Sequence, residues 1–125
     1  MTANLWTAWI AFLLGSLAGL LPGLYFHRED WLGGYGAWSR RMVRLGHIAF
    51  FGLGLLNLAF VFSARALAME RGTALPSVLL IVGTITMPLV CYLSAVRIAF
   101  RPLFGVPALS VTIAIAAFLW RMGRP

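Results

Sequence analysis

The chain has 125 residues, 62% of them apolar, with ten basic and three acidic side chains and a net charge of +7. Soluble domains are roughly 45–50% apolar and about 25% charged, so a charged fraction of 10% is too small to cover a water-facing surface, and the reading is an integral membrane protein. Every basic residue is Arg, and the arginines fall between apolar stretches as charges flanking membrane spans do, which excludes the nucleic-acid binding that a basic soluble chain would suggest.

Crossing a bilayer takes about 20 mostly apolar residues in a helix, and four stretches fit. The first is Leu5–Phe26, uncharged throughout. It has no basic n-region, is too long for a signal-peptide core and is followed by no small-residue cleavage site, so it is read as retained. Within it Gly15, Gly19 and Gly23 repeat at four-residue spacing, a smooth face for close helix approach. Pro22 lies near its end and predicts a kink.

The connection 27–42 is the longest. It carries Trp31, Tyr35 and Trp38 among Gly33, Gly34 and Gly36, and is expected to form an interfacial loop anchored by aromatic rings. The second span runs about 43–64, the third about 75–96 and the fourth about 103–120. Arg71, Gly72 and Thr73 turn the chain between spans two and three. Pro102 is expected in the first turn of span four, where proline is tolerated, and Pro88 and Pro107 are expected to kink spans three and four. Lipid cannot satisfy open backbone groups, and no period-2 alternation of the barrel kind is visible. The expected fold is therefore all-α, one domain over residues 1–125, an integral membrane bundle of four antiparallel transmembrane helices.

The arginines also orient the chain. Arg28, Arg40, Arg41, Arg44, Arg97 and Arg101 fall on one side, against Arg65, Arg71, Arg121 and Arg124 on the other. The positive-inside rule puts the side with six in the cytoplasm and both termini outside.

Few residues carry chemistry. His47 lies early in the second span, and an ionisable residue inside a bilayer is a functional-site hypothesis by default. Neutral imidazole is also a common metal ligand. Phe51 and Gly54 follow at i+4 and i+7 on the same face, spacing that leaves room for a flat porphyrin packed on Phe51. The plainer alternative is an interfacial histidine bonded to a backbone carbonyl or to headgroup water. His27 ends the first span at the same membrane face and could share a metal or haem with His47, or could simply be solvated beside Arg28, Glu29 and Asp30. Met87 and Cys91 share a face of the third span at i, i+4. Soft sulfur suits Cu(I), so with His47 they form a copper alternative, although both residues also serve as apolar filler. Asn57, mid-span, is expected to make an interhelical hydrogen bond. Glu29, Asp30 and Glu70 all lie in connections. The buried carboxylate that small multidrug-resistance exporters use is missing, as is any acid–base pair, and catalysis by the protein alone is not expected.

The run Arg44–Asn57, then Thr86-Met87-Pro88-Leu89-Val90-Cys91, Arg97 and Phe100-Arg101-Pro102-Leu103-Phe104, resembles small four-helix membrane proteins associated with bacterial haem-copper oxidase and its assembly. Those proteins place a His near the start of the second span and a Pro-Leu pair in the third. The resemblance implies an accessory or assembly protein of a respiratory complex in the bacterial inner membrane, with haem b bound through His47. The alternatives are a structural subunit, with lipid, other membrane subunits or a second copy as partners, and a small oligomeric transporter or channel.

Overall fold

The computed structural model describes residues 1–69 and 72–123. Glu70, Arg71 and Arg124, which enter the charge inventory, lie outside the described residues. Four α-helices appear: α1 (Thr2–Tyr25), α2 (Trp38–Ala66), α3 (Ala74–Val96) and α4 (Gly105–Met122). All four are long and apolar enough to cross a membrane, and no strand is present among the described residues. Short connections make neighbours in the chain neighbours in space. α2 packs on α1 and α3, and α4 packs on α3, while α1 meets α3 along a narrower seam.

Two helix starts differ from expectation, one for a non-local reason and one for a local reason that proline sets. α2 begins at Trp38, five residues before the expected start. Its first two side chains are tied to the end of α3: Trp38 Nε1 donates to the Ser94 carbonyl and Ser39 Oγ to the Ala95 carbonyl, each at 2.8 Å. Trp38 is thus the first residue of a helix rather than a loop anchor. Pro102 lies in a 3₁₀ segment (Ile98–Phe104) ahead of α4. Pro107 instead occupies the first turn of α4, where a missing N–H leaves no ladder bond unmade. α1 and α3 run through Pro22 and Pro88 as unbroken helices.

In lipid, apolar side chains gain nothing by leaving an apolar solvent for one another, so close packing and polar contacts select the helix arrangement. Here a buried polar chain joins α1, α2 and α3. Asn4 and Asn57 are both fully buried. Asn4 Nδ2 donates to Asn57 Oδ1 at 2.8 Å and to the Ser77 carbonyl at 3.2 Å. Ser77 Oγ donates back to Asn4 Oδ1. Asn57 Nδ2 donates to Thr84 Oγ1 at 2.8 Å and to the Leu53 carbonyl at 2.9 Å, and Thr84 Oγ1 donates to the Leu80 carbonyl. Both amides thereby use both N–H groups and the carbonyl. One turn away, Phe60 and Val61 of α2, Leu80 of α3 and Ala114 of α4 form the apolar core, with Leu5 and Phe118 against it. Gly83 of α3 lets Val111 of α4 sit where a Cβ would otherwise be.

Replacing Asn57 with Leu leaves the Asn4 amide and Thr84 hydroxyl short of partners. We expect Asn57→Leu to lower stability by about 1–2 kcal/mol. The Asn4→Leu/Asn57→Leu double variant should cost clearly less than the sum of the two single changes. Unfolding in mixed micelles measures both; strict additivity would show that the two amides do not interact.

Candidate functional site

α2 presents His47 to the α1 seam. The His47 Nδ1 lies 2.9 Å from the Gly15 carbonyl oxygen. A carbonyl only accepts, so Nδ1–H is the donor, and in the neutral ring Nε2 then carries the lone pair. The glycine stripe of α1 makes this approach possible. A Cβ on Gly19 would collide with His47 Cε1, and one on Gly15 would stand 2.8 Å from the Phe51 ring. His47 and Phe51 thus fill the Gly15–Gly19 groove, edge-to-face with centroids 5.3 Å apart. Gly23, the third glycine of the stripe, has nothing within 4 Å of where its Cβ would be.

Gly54 is not free for a porphyrin. A Cβ there would stand 2.6 Å from Phe12 of α1 and 3.3 Å from the Ala8 carbonyl oxygen, and Phe12 stacks on Phe51. The face that carries His47, Phe51 and Gly54 is therefore closed by α1, and these residues do not form a haem pocket between them. What remains open beside His47 is a cleft of about 290 Å³ lined by Gly19, Pro22, Gly23, Phe26, Arg44 and Ile48. That volume lies at the small end for organic ligands.

The other candidate ligands stand apart. His47 lies nine residues beyond Trp38, about two and a half turns into α2. His27 is exposed in the turn after α1. It follows Gly19, the residue touching His47, by eight positions, on the order of 10 Å along a helix; the two histidines are not at one depth. Cys91 is buried on α3 against Gly46 of α2, where a Cβ would stand 3.1 Å from Cys91 Cβ. Gly46 therefore faces α3, while His47 beside it faces α1. Met87 is half-buried one turn before Cys91. Among the described residues no three His, Cys, Asp or Glu side chains gather at one point.

Sequence reasoning missed Arg40 as more than a flanking charge. It is 2% exposed, and the connection 26–37 is wrapped around it. Its guanidinium donates to the carbonyls of Phe26, Arg28 and Glu29 at 3.1–3.2 Å. It also lies 5.1–5.7 Å from the ring centres of Phe26, Trp31 and Tyr35. Carbonyl dipoles and ring faces stabilise the cation, with no ion pair among the described residues. Leu32 adopts a left-handed φ of 53° to close the loop. The signal was present in the sequence: Phe26, Trp31, Tyr35 and Trp38 all fall within 14 positions before an arginine at the span edge. Arg44 lies 4.4 Å over the outer side of the Tyr35 ring. Near the same end, Tyr92 Oη and Ser94 Oγ are buried without a partner among the described residues.

No known family, curated protein or solved structure matches this chain.

Two outcomes are expected. Gly19→Leu drives a side chain into His47 and should cost about 1–3 kcal/mol, the range for overpacking, read from the unfolding midpoint; an unchanged midpoint would mean that α1 shifts freely. Arg40→Met removes the clamp, and amide exchange over residues 27–36 should quicken on the order of tenfold or more, with exchange in α3 unchanged.

Proposed function

We propose that this chain is a non-catalytic accessory or assembly subunit of a larger membrane complex. The observation carrying this reading is where the polar groups go. Asn4, Asn57, Ser77 and Thr84 hydrogen-bond one another across helices, and His47 is held by Gly15. What the protein offers laterally is apolar: Trp6, Trp9, Leu13, Leu17 and Leu20 on α1, and Leu109, Ile113 and Leu119 on α4, are all strongly exposed. A small bundle braced from within and apolar outside is suited to packing against other spans or a second copy. The same committed polar groups leave a transporter or channel reading without a polar path.

The resemblance to haem-copper oxidase-associated proteins makes a respiratory complex of the bacterial inner membrane the first candidate, with both termini outside by the arginine balance. Haem binding is a second reading, favoured by one observation: a histidine whose Nδ1–H is fixed by a carbonyl is prepared for ligation through Nε2. Because the Gly54 face is closed, that reading needs a partner surface to complete the pocket.

Solubilisation of native membranes in mild detergent, followed by affinity purification, tests the proposal. Near-stoichiometric co-purification with a larger membrane complex is expected, and a solitary monomer across several mild detergents would overturn it. A reduced-minus-oxidised visible spectrum of the same preparation tests the second reading. Haem ligation through His47 requires a cytochrome-type difference that His47→Ala abolishes without loss of membrane insertion; pigment retained in that variant would sink it.

A further inference from the structure

The N-terminal end of α2 carries three arginines in its first two turns, and they have two different fates. The helix has 29 residues, about nine more than a bilayer crossing needs. Its Arg-bearing turns therefore extend to headgroup level, with His47 just beneath. Arg40 turns inward, and both terminal nitrogens of its guanidinium are committed to the loop. Arg41 and Arg44, at i and i+3, lie on one helix face. Arg41 is exposed, and Arg44 rests half-buried on Tyr35. Neither has a carboxylate partner among the described residues, although Glu29 and Asp30 lie in the adjoining connection.

Two apolar clefts descend from this pair. One, of about 290 Å³, lies between α1 and α2 over Gly19, Gly23 and Phe26. The other, of about 360 Å³, is a shallower and more open depression on the surface of α2 itself, along Met42 and Leu45. Arg44 and Ile48 line both, so Arg44 forms the rim between them. The floor at Gly23 is empty of side-chain atoms.

We propose that Arg41 and Arg44 bind the headgroup of an anionic diacyl phospholipid, one chain lying in each cleft. The guanidinium of Arg44 meets the phosphodiester in a forked, charge-assisted pair, and Arg41 adds the second positive charge. Beneath the arginines the first cleft is walled by Pro22, Phe26 and Ile48 and the second by Met42, Leu45 and Ile48, surfaces suited to acyl chains. The cationic rim selects the headgroup by charge, and the paired troughs distinguish a two-chain lipid from a free anion. His47, whose Nδ1–H is committed to the Gly15 carbonyl, also lines the first cleft. Basic pockets between spans commonly recognise anionic headgroups in this way.

The test uses the purified full-length chain in neutral detergent, titrated with phosphatidylglycerol, phosphatidylcholine or inorganic phosphate, and read by native mass spectrometry and the unfolding midpoint. Phosphatidylglycerol should bind saturably, raise the midpoint and weaken with added salt, while phosphatidylcholine and inorganic phosphate do neither. Arg41→Gln/Arg44→Gln should weaken phosphatidylglycerol binding roughly thirtyfold, the effect of two interfacial cations. Arg65→Gln, at the opposite end of α2, should leave it unchanged. Gly23→Leu fills the open trough with both arginines intact and should also weaken binding, with helicity by circular dichroism confirming the fold. Equal retention of phosphatidylcholine, an equal effect of inorganic phosphate, or undiminished binding by the double Arg variant overturns the proposal.

Discussion

The amide pair Asn4–Asn57 is the contact on which the rest of the arrangement depends. Four apolar helices in lipid have many rotations and registers of similar packing energy, because lipid chains and leucines are equivalent neighbours. A carboxamide removes that degeneracy. Turned toward hydrocarbon it would leave two donors and an acceptor unpaired, at a cost of several kcal/mol. Asn4 reaches α2 and α3 together, and Asn57 reaches α1 and α3. The three helices are therefore fixed in rotation and depth at one level near the chain termini. α4 has no part in this polar chain; it fits against α3 at Gly83 and against α2 through the Phe60–Phe118 ring contact.

The opposite end is fixed differently, by one cation. Arg40 organises the connection 26–37 through carbonyls and rings, while Trp38 and Ser39 hold the start of α2 to the end of α3. A neutral amide network suits the hydrocarbon interior, where any net charge is expensive. A guanidinium suits the headgroup region, where water and carbonyl dipoles moderate its desolvation. The two devices brace α2 in mid-span and at its N-terminal end, and His47 on Gly15 braces the α1 seam between them. A histidine so placed has a sufficient structural reason for its position before any ligand is considered.

How much of this the sequence disclosed depends on whether the cause was local. The four spans follow from runs of apolar residues and their breakers, and those are local. The interhelical role of Asn57 follows from a polar side chain in mid-span. Asn4 escaped because it precedes the apolar run that marks the first span, though the helix begins at Thr2. The early start of α2 depends on carbonyls 56 residues away, which no window along the chain can see. Gly19 and His47 were each conspicuous alone, but that the glycine exists to admit the imidazole is a fact of the seam. Likewise Gly54 reads as space for a cofactor in the helix alone, and only the position of Phe12 shows the space to be filled.

Arg40 and Arg44 show why composition alone assigns such residues poorly. They lie four positions apart on one helix and contribute equally to any charge count. One is 2% exposed and ringed by carbonyls. The other forms the rim between two apolar clefts. The difference is one of position: Arg40 lies where the carbonyls of Phe26, Arg28 and Glu29 converge, and Arg44, one turn on, reaches the Tyr35 ring. The neighbouring positions on the outer face are left with charge that the protein does not neutralise itself. In a soluble protein that charge would be solvated by water. At the edge of a bilayer it meets headgroups, so the turn of α2 that buries Arg40 also leaves Arg41 exposed and Arg44 at a cleft rim, neither with a carboxylate partner among the described residues.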